Sequence, residues 1–131
     1  MKRLILCAVA AAVLCGCGGG SPSPIATLDL SRIQANWPKF INYSNQLAAD
    51  TSAIDHSGAP PEQKAAQLEV LRKRYVEMQN EVTSDVRNAA QRVASEKHFT
   101  LVVTHQFVGY GGVDITPDVE KILNITEKSP Q

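Results

Sequence analysis

His56-Ser57-Gly58-Ala59-Pro60-Pro61 is the stretch on which the fold turns. A glycine followed closely by two prolines cannot continue a helix, because each proline lacks an N–H donor and its ring clashes with the preceding turn. Helical patterns lead into this stretch and away from it, so the chain must reverse here. Upstream, Leu30, Ile33, Trp37, Phe40, Ser44, Leu47, Thr51 and Ile54 step alternately by three and four, a coiled-coil seam with two polar positions. This spacing predicts a helix over residues 31–56, with Pro38 producing either a kink beside Trp37 or a helix start there. Downstream, Leu68, Leu71, Tyr75, Met78, Val82, Val86, Ala89 and Val93 predict a second helix over residues 61–98, with Pro61 in its first turn and Glu62 near its positive end. Successive steps of four at Val82 and Val86 are a stutter, which places the base of the helix pair there. The helices would reach about 35 and about 55 Å, so the end of the second must pack against something else.

That something lies at the two ends of the pattern. Ile-Ala-Thr-Leu-Asp-Leu alternates from residue 25 and predicts a strand over 25–29. Phe99-Thr100-Leu101-Val102-Val103-Thr104 predicts a second strand over 99–104. Phe107-Val108-Gly109-Tyr110 reads as a third over 107–110, forming a hairpin with the second, with a turn at Gly111-Gly112. A last helix is expected over 117–124, with Thr116 as N-cap, Pro117 in its first position and Val119, Ile122 and Leu123 on its apolar face. The fold class is therefore α+β, a long antiparallel α-helical hairpin projecting from a small β-sheet body.

Before the strand at residue 25 stands a leader. Met1-Lys2-Arg3 is basic, residues 4–14 are apolar, and Leu14-Cys15-Gly16-Cys17 follows. The apolar run is far shorter than the ~20 residues of a membrane span and reads as an export signal. Its end resembles the lipobox of bacterial lipoproteins, which implies cleavage after residue 16 and lipid on Cys17. Residues 17–24, largely Gly, Ser and Pro, would tether the domain with a reach of roughly 20 Å. The domain itself is expected over 25–125, with a tail over 126–131. Gly18, rather than an aspartate, favours the periplasmic face of the outer membrane by resemblance to lipoprotein sorting. Cys7 and Cys15 leave with the leader, so the mature chain has no disulfide and must gain stability from packing or oligomerisation.

Of 13 basic residues, Lys2 and Arg3 lie in the leader, and the remaining 11 face 13 acidic ones. That balance, with seven aromatic residues in 131, argues against nucleic-acid binding by phosphate neutralisation or base stacking. His56, His98 and His105 have no metal-ligand spacing, so no metal or other cofactor is expected. Gly109-Tyr110-Gly111-Gly112 lacks the lysine of a phosphate loop. No nucleophile, base and orienting acid are grouped by a motif, so no catalytic residue is expected and the chain does not read as an enzyme.

Two blocks resemble the Skp/OmpH family of periplasmic chaperones. The first is Leu28-Asp29-Leu30-Ser31-Arg32-Ile33 with Pro38 following; the second runs from Lys97 through Val103, then Tyr110, Val113-Asp114-Ile115-Thr116, Val119 and Leu123. The resemblance implies a homotrimer in which short strands of three chains share a β-barrel. It also implies helical arms around a cavity that holds unfolded outer-membrane or periplasmic proteins, without ATP. Two features depart from the family: the arms are short, and the mature chain is slightly acidic where the family is strongly basic. Candidate client contacts are Arg72, Lys73 and Arg74, the one basic run of the mature chain, with Tyr75 and Met78 beside it. The basic run reads equally as a solvated face partnered by Glu69 and Glu77, and Tyr75 and Met78 read first as seam packing and second as adaptable contacts. The expected function is a lipid-anchored holdase; the alternative is a structural lipoprotein whose arms are a spacer or docking surface for a folded partner.

Overall fold

The computed structural model describes residues 25–126, so the export signal, Cys17, the tether and the end of the tail lie outside the described residues. Strand β1 (Ile25–Leu28) leads into helix α1 (Leu30–Asn36), followed by α2 (Pro38–Asp55) and α3 (Pro61–Glu96). Strand β2 (Leu101–Thr104), a 3₁₀ turn (His105–Phe107), strand β3 (Val113–Asp114) and helix α4 (Thr116–Ile122) complete the order. The molecule is mixed helix and strand, mostly helical.

The expected helix over 31–56 is two helices. Proline disfavours helical backbone at the residue before it, and Trp37 accordingly sits at φ −84°, ψ 111°, ending α1 and starting α2. The break costs little hydrogen bonding, since Trp37 N–H still donates to Ile33 O at 2.9 Å and Ile41 N–H to Trp37 O at 3.0 Å. Asp29 begins α1 instead of ending the strand: its carboxylate accepts from Arg32 N–H at 3.0 Å.

Helix α3 ends two residues before the expected 98. His98 takes φ 60°, Phe99 N–H donates to Ala94 O at 2.9 Å and His98 N–H to Ser95 O at 3.4 Å, a Schellman closure with histidine where glycine is usual. His98 is exposed, so its side chain offers little in return for the left-handed backbone. His98→Gly is expected to raise stability by about 0.5–1 kcal/mol, read as a higher urea midpoint at unchanged slope. Asn124, at φ 54°, closes α4 the same way, with Ile125 N–H donating to Glu120 O at 2.9 Å.

The sheet corrects the expected hairpin. Its order is β2-β1-β3, with both outer strands parallel to β1, Ile25 opposite Leu101 and Ala26 opposite Val113. Residues 107–110 form no strand: the chain leaves β2 through a 3₁₀ turn over His105–Phe107 and returns to pair in parallel with β1 only at 113–114, leaving the outer edge of β2 open. Phe107 closes the 3₁₀ turn and Tyr110 lies fully exposed in the segment that carries the chain back beside the start of β1. Phe99 and Thr100 belong to the turn before β2, not to the strand.

The core gathers Ala26 and Leu28 of β1, Ile33 of α1 and Trp37. It adds Ala89, Ala90 and Val93 of α3, Val119 of α4, and Ile115 and Ile125 beside α4. The last turns of α3 are thus the excess length that had to pack elsewhere, and Val82 and Val86 flank the core where the stutter predicted the base. Helix α2 buries no residue, and beyond the base α3 buries only Leu71 among its described side chains.

Candidate functional site: the helix pair and the polar junction at its base

The two ends of the domain meet in one hydrogen-bonded junction. Asp29 N–H donates to Thr116 Oγ1 at 2.9 Å; Thr116 in turn donates its hydroxyl to Asp114 Oδ1, which also accepts Thr116 N–H at 2.9 Å. Asp114 therefore performs the capping expected of Thr116, and α4 starts at Thr116, with Pro117 second. Beside it, Arg32 Nε and Nη2 donate to Glu120 Oε1 and Oε2 at 2.9 and 2.7 Å. This bidentate pair is of the strong, directional kind. Thr116 is fully buried, and the Glu120 side chain is 5% exposed against 33% for Arg32. Asp29, Arg32, Asp114 and Thr116 all belong to the two blocks quoted above, separated by more than eighty residues, and Glu120 directly follows Val119 of the second. No local spacing signals such a partner, so Glu120 was not among the expected site residues.

The helix pair is clasped by Lys39, whose Nζ lies 2.6 Å from both Glu81 Oε1 and Asp85 Oδ2 of α3. Tyr43 donates its hydroxyl to Glu81 Oε2 at 3.1 Å, and the Lys39 ammonium is 5.8 and 5.9 Å from the Trp37 and Tyr43 ring centres. Further out, Arg74 approaches Asp50 at 3.8 Å, and Lys64 donates to Asp55 O at 2.6 Å. These pairs run in opposite order along the two helices. Hydrogen bonding to Asp85, then to Glu81, raises the Lys39 pKa, and hydrogen bonding from Lys39, then from Tyr43, lowers that of Glu81. Hydrogen bonding to Glu81 raises the Tyr43 pKa. With its folded pKa lowered, Glu81 contributes above its ordinary value and the contribution is lost as pH falls and it protonates. The clasp is largely solvated, so it sets register more than it stabilises.

The expected client residues divide. Arg72 and Lys73 are exposed on α3, and the ion pair of this run goes from Arg74 across to Asp50 rather than along α3 to Glu69 or Glu77. At 62% exposure for the Arg74 side chain, that pair is worth little. Tyr75 and Met78 are half-buried in a groove of about 230 Å³ shared with Phe40, Tyr43 and Ser44. They belong to the seam, yet the seam leaves them partly open. Val70 and Val76, which the seam pattern omits, are 62% and 49% exposed on α3.

A larger apolar cleft, about 890 Å³, opens beside β2 between the sheet and the base of α3; Leu28, Trp37, Val86 and Phe99 are among its walls. Strand β2 pairs on one side only, and Thr104 Oγ1, which lines this cleft, is buried without a hydrogen-bond partner among the described residues. Among the described residues no three His, Cys, Asp or Glu side chains are grouped as a metal would require, and no helix is long and apolar enough to cross a membrane. No protein-family model and no curated protein matches the chain.

Proposed function

We propose that the chain is a lipid-anchored, Skp-like holdase that works as a homotrimer, sheltering unfolded outer-membrane or periplasmic proteins between short antiparallel arms without ATP. The observation that carries the reading is the junction of Asp29 and Arg32 with Thr116 and Glu120. It draws together the two blocks on which the resemblance rests and leaves the segment between them to form a helix pair whose first helix buries no residue. Assembly accounts for the unpaired side of β2 and the apolar cleft beside it, which neighbouring strands of a shared barrel would cover. Half-open Tyr75 and Met78, exposed Val70 and Val76, and Arg72 and Lys73 give the arms mixed apolar and basic contacts suited to weak, multivalent capture.

The test is the mature chain beginning at residue 17 with Cys17→Ser, added to an outer-membrane β-barrel diluted from denaturant. Suppression of aggregation near one trimer per client is expected, weakening at raised salt and on joint replacement of Arg72, Lys73 and Arg74 by serine. A trimer that forms and suppresses nothing would move the assignment to a spacer or docking lipoprotein. A monomer at micromolar concentration would remove both readings.

A further inference from the structure

Three large apolar side chains are exposed at the end of the sheet where its strands begin, Ile25 and Leu101 on one face and Val113, in register with the core residue Ala26, on the other, and Tyr110 is exposed in the segment leading to β3. Ile25 and Leu101 face each other in register at 38% and 51% exposure. Val113, opposite Ala26, is 38% exposed, and Tyr110 is fully exposed. Gly112 brings the segment close to β1, since a Cβ there would lie 3.6 Å from Ile25 O, and the Cα of Tyr110, two residues earlier, is within about 8 Å of the Gly112 Cα. Residues 99–113 contain no Asp, Glu, Lys or Arg, and Tyr110 stands among Gly109, Gly111 and Gly112, the last two at φ 89° and 88°. Such an uncharged segment with an exposed aromatic ring is costly to leave in water at the rim of a small domain.

Where the chain outside the described residues arrives decides what covers it. The described chain begins at Ile25, at this end of the sheet, and only seven residues separate Ile25 from Cys17, a reach of at most about 27 Å. Leu101 follows the C-terminal end of α3, the end farthest from the turn at residues 56–60. A bilayer holding Cys17 would therefore meet this end of the sheet, with the arm tip on the far side. Tyrosine, with an apolar ring and a polar hydroxyl, suits the headgroup boundary, and Ile25, Leu101 and Val113 supply apolar area beside it.

We propose that Ile25, Leu101, Tyr110 and Val113 form a seat that rests in the interfacial layer of a phospholipid bilayer and holds the arm pointing away from it. The seat rests on the anchoring reading for its place in the cell, but its contact with lipid is testable without natural lipidation, because Cys17 is the single thiol of the mature chain. The mature chain carrying Tyr110→Trp is coupled through Cys17 to maleimide lipid in phosphatidylcholine/phosphatidylglycerol vesicles. The expected result is a blue-shifted emission of the new indole that loses more than half its intensity when dibrominated phosphatidylcholine replaces the host lipid. The unsubstituted chain, with Trp37 only 5% exposed, and a Val70→Trp chain reporting from the arm should lose little. Equal quenching at both introduced positions would mean that the domain lies flat, and no quenching at Tyr110→Trp would mean that no seat exists; either overturns the proposal. A blue shift without vesicles that grows with protein concentration and resists bromine would show that a second copy covers the patch, which also overturns it. Whether cells lipidate Cys17 is read separately, from the mass of the N-terminal peptide, so the two readings can fail independently.

Discussion

Glu120→Ala is expected to lower stability by about 2–3 kcal/mol, read from urea unfolding at fixed protein concentration and neutral pH. The substitution removes the two Glu120 carboxylate acceptors of the Arg32 guanidinium, and with them a bidentate, charge-assisted pair whose acidic half is nearly buried. The figure sits below the range for fully buried pairs because Arg32 is 33% exposed and water can reach part of it. Glu120→Gln should cost less, since it retains the shape and one acceptor. Glu81→Ala, in the exposed clasp, should stay within about 0.5 kcal/mol. Equal effects at Glu120 and Glu81 would show that the junction does not tie the two ends of the domain together.

Gly112→Ala is expected to cost about 2–4 kcal/mol and to expose the sheet to proteolysis, because two penalties add. Gly112 sits at φ 88°, where a Cβ is strained, and that Cβ would lie 2.6 Å from Thr27 Cγ2. Thr27 cannot move aside: it is β-branched, 4% exposed and on the central strand. Gly111→Ala shares the backbone strain, at φ 89°, but has open space for its methyl group, so about 1 kcal/mol is expected there. Comparing the two by thermal or urea unfolding separates steric overlap from strain. Similar values for both would mean that β3 can shift away from β1 at little cost.

The helices were the legible part. A run of apolar residues at steps of three and four identifies a helix from residues that are neighbours in sequence, and glycine with two prolines ends it for local covalent reasons. Even the kink was legible as an alternative, since proline restricts the residue before it; the structure resolved the choice at Trp37. Strand partners were less legible. Residues 107–110 have the composition of a strand, but a strand exists only where the chain runs along an edge, and the 3₁₀ turn after β2 carries the chain away from the open edge of β2 to pair with β1 at residues 113–114. The double glycine likewise looked like a tight turn when its role is the close approach of Gly112 to Thr27.

The candidate site divides in the same way. Arg72 to Arg74, Tyr75 and Met78 could be placed on one helix from spacing alone, and on that helix the three basic residues are exposed and Tyr75 and Met78 half-buried. Arg74 pairing with Asp50, Lys39 bridging Glu81 and Asp85, and Arg32 meeting Glu120 could not be read, because charged side chains of many sequence separations have equivalent local signatures. The sequence by itself thus determined the helices, the break between them and the uncharged character of residues 99–113, which depend on backbone chemistry and nearest neighbours. Only the tertiary structure decided the parallel order of the sheet, the junction of its two ends and the exposure of Ile25, Leu101 and Val113 where the strands begin. Those depend on which distant surfaces fit together once the helices have formed, and a local pattern carries no record of that.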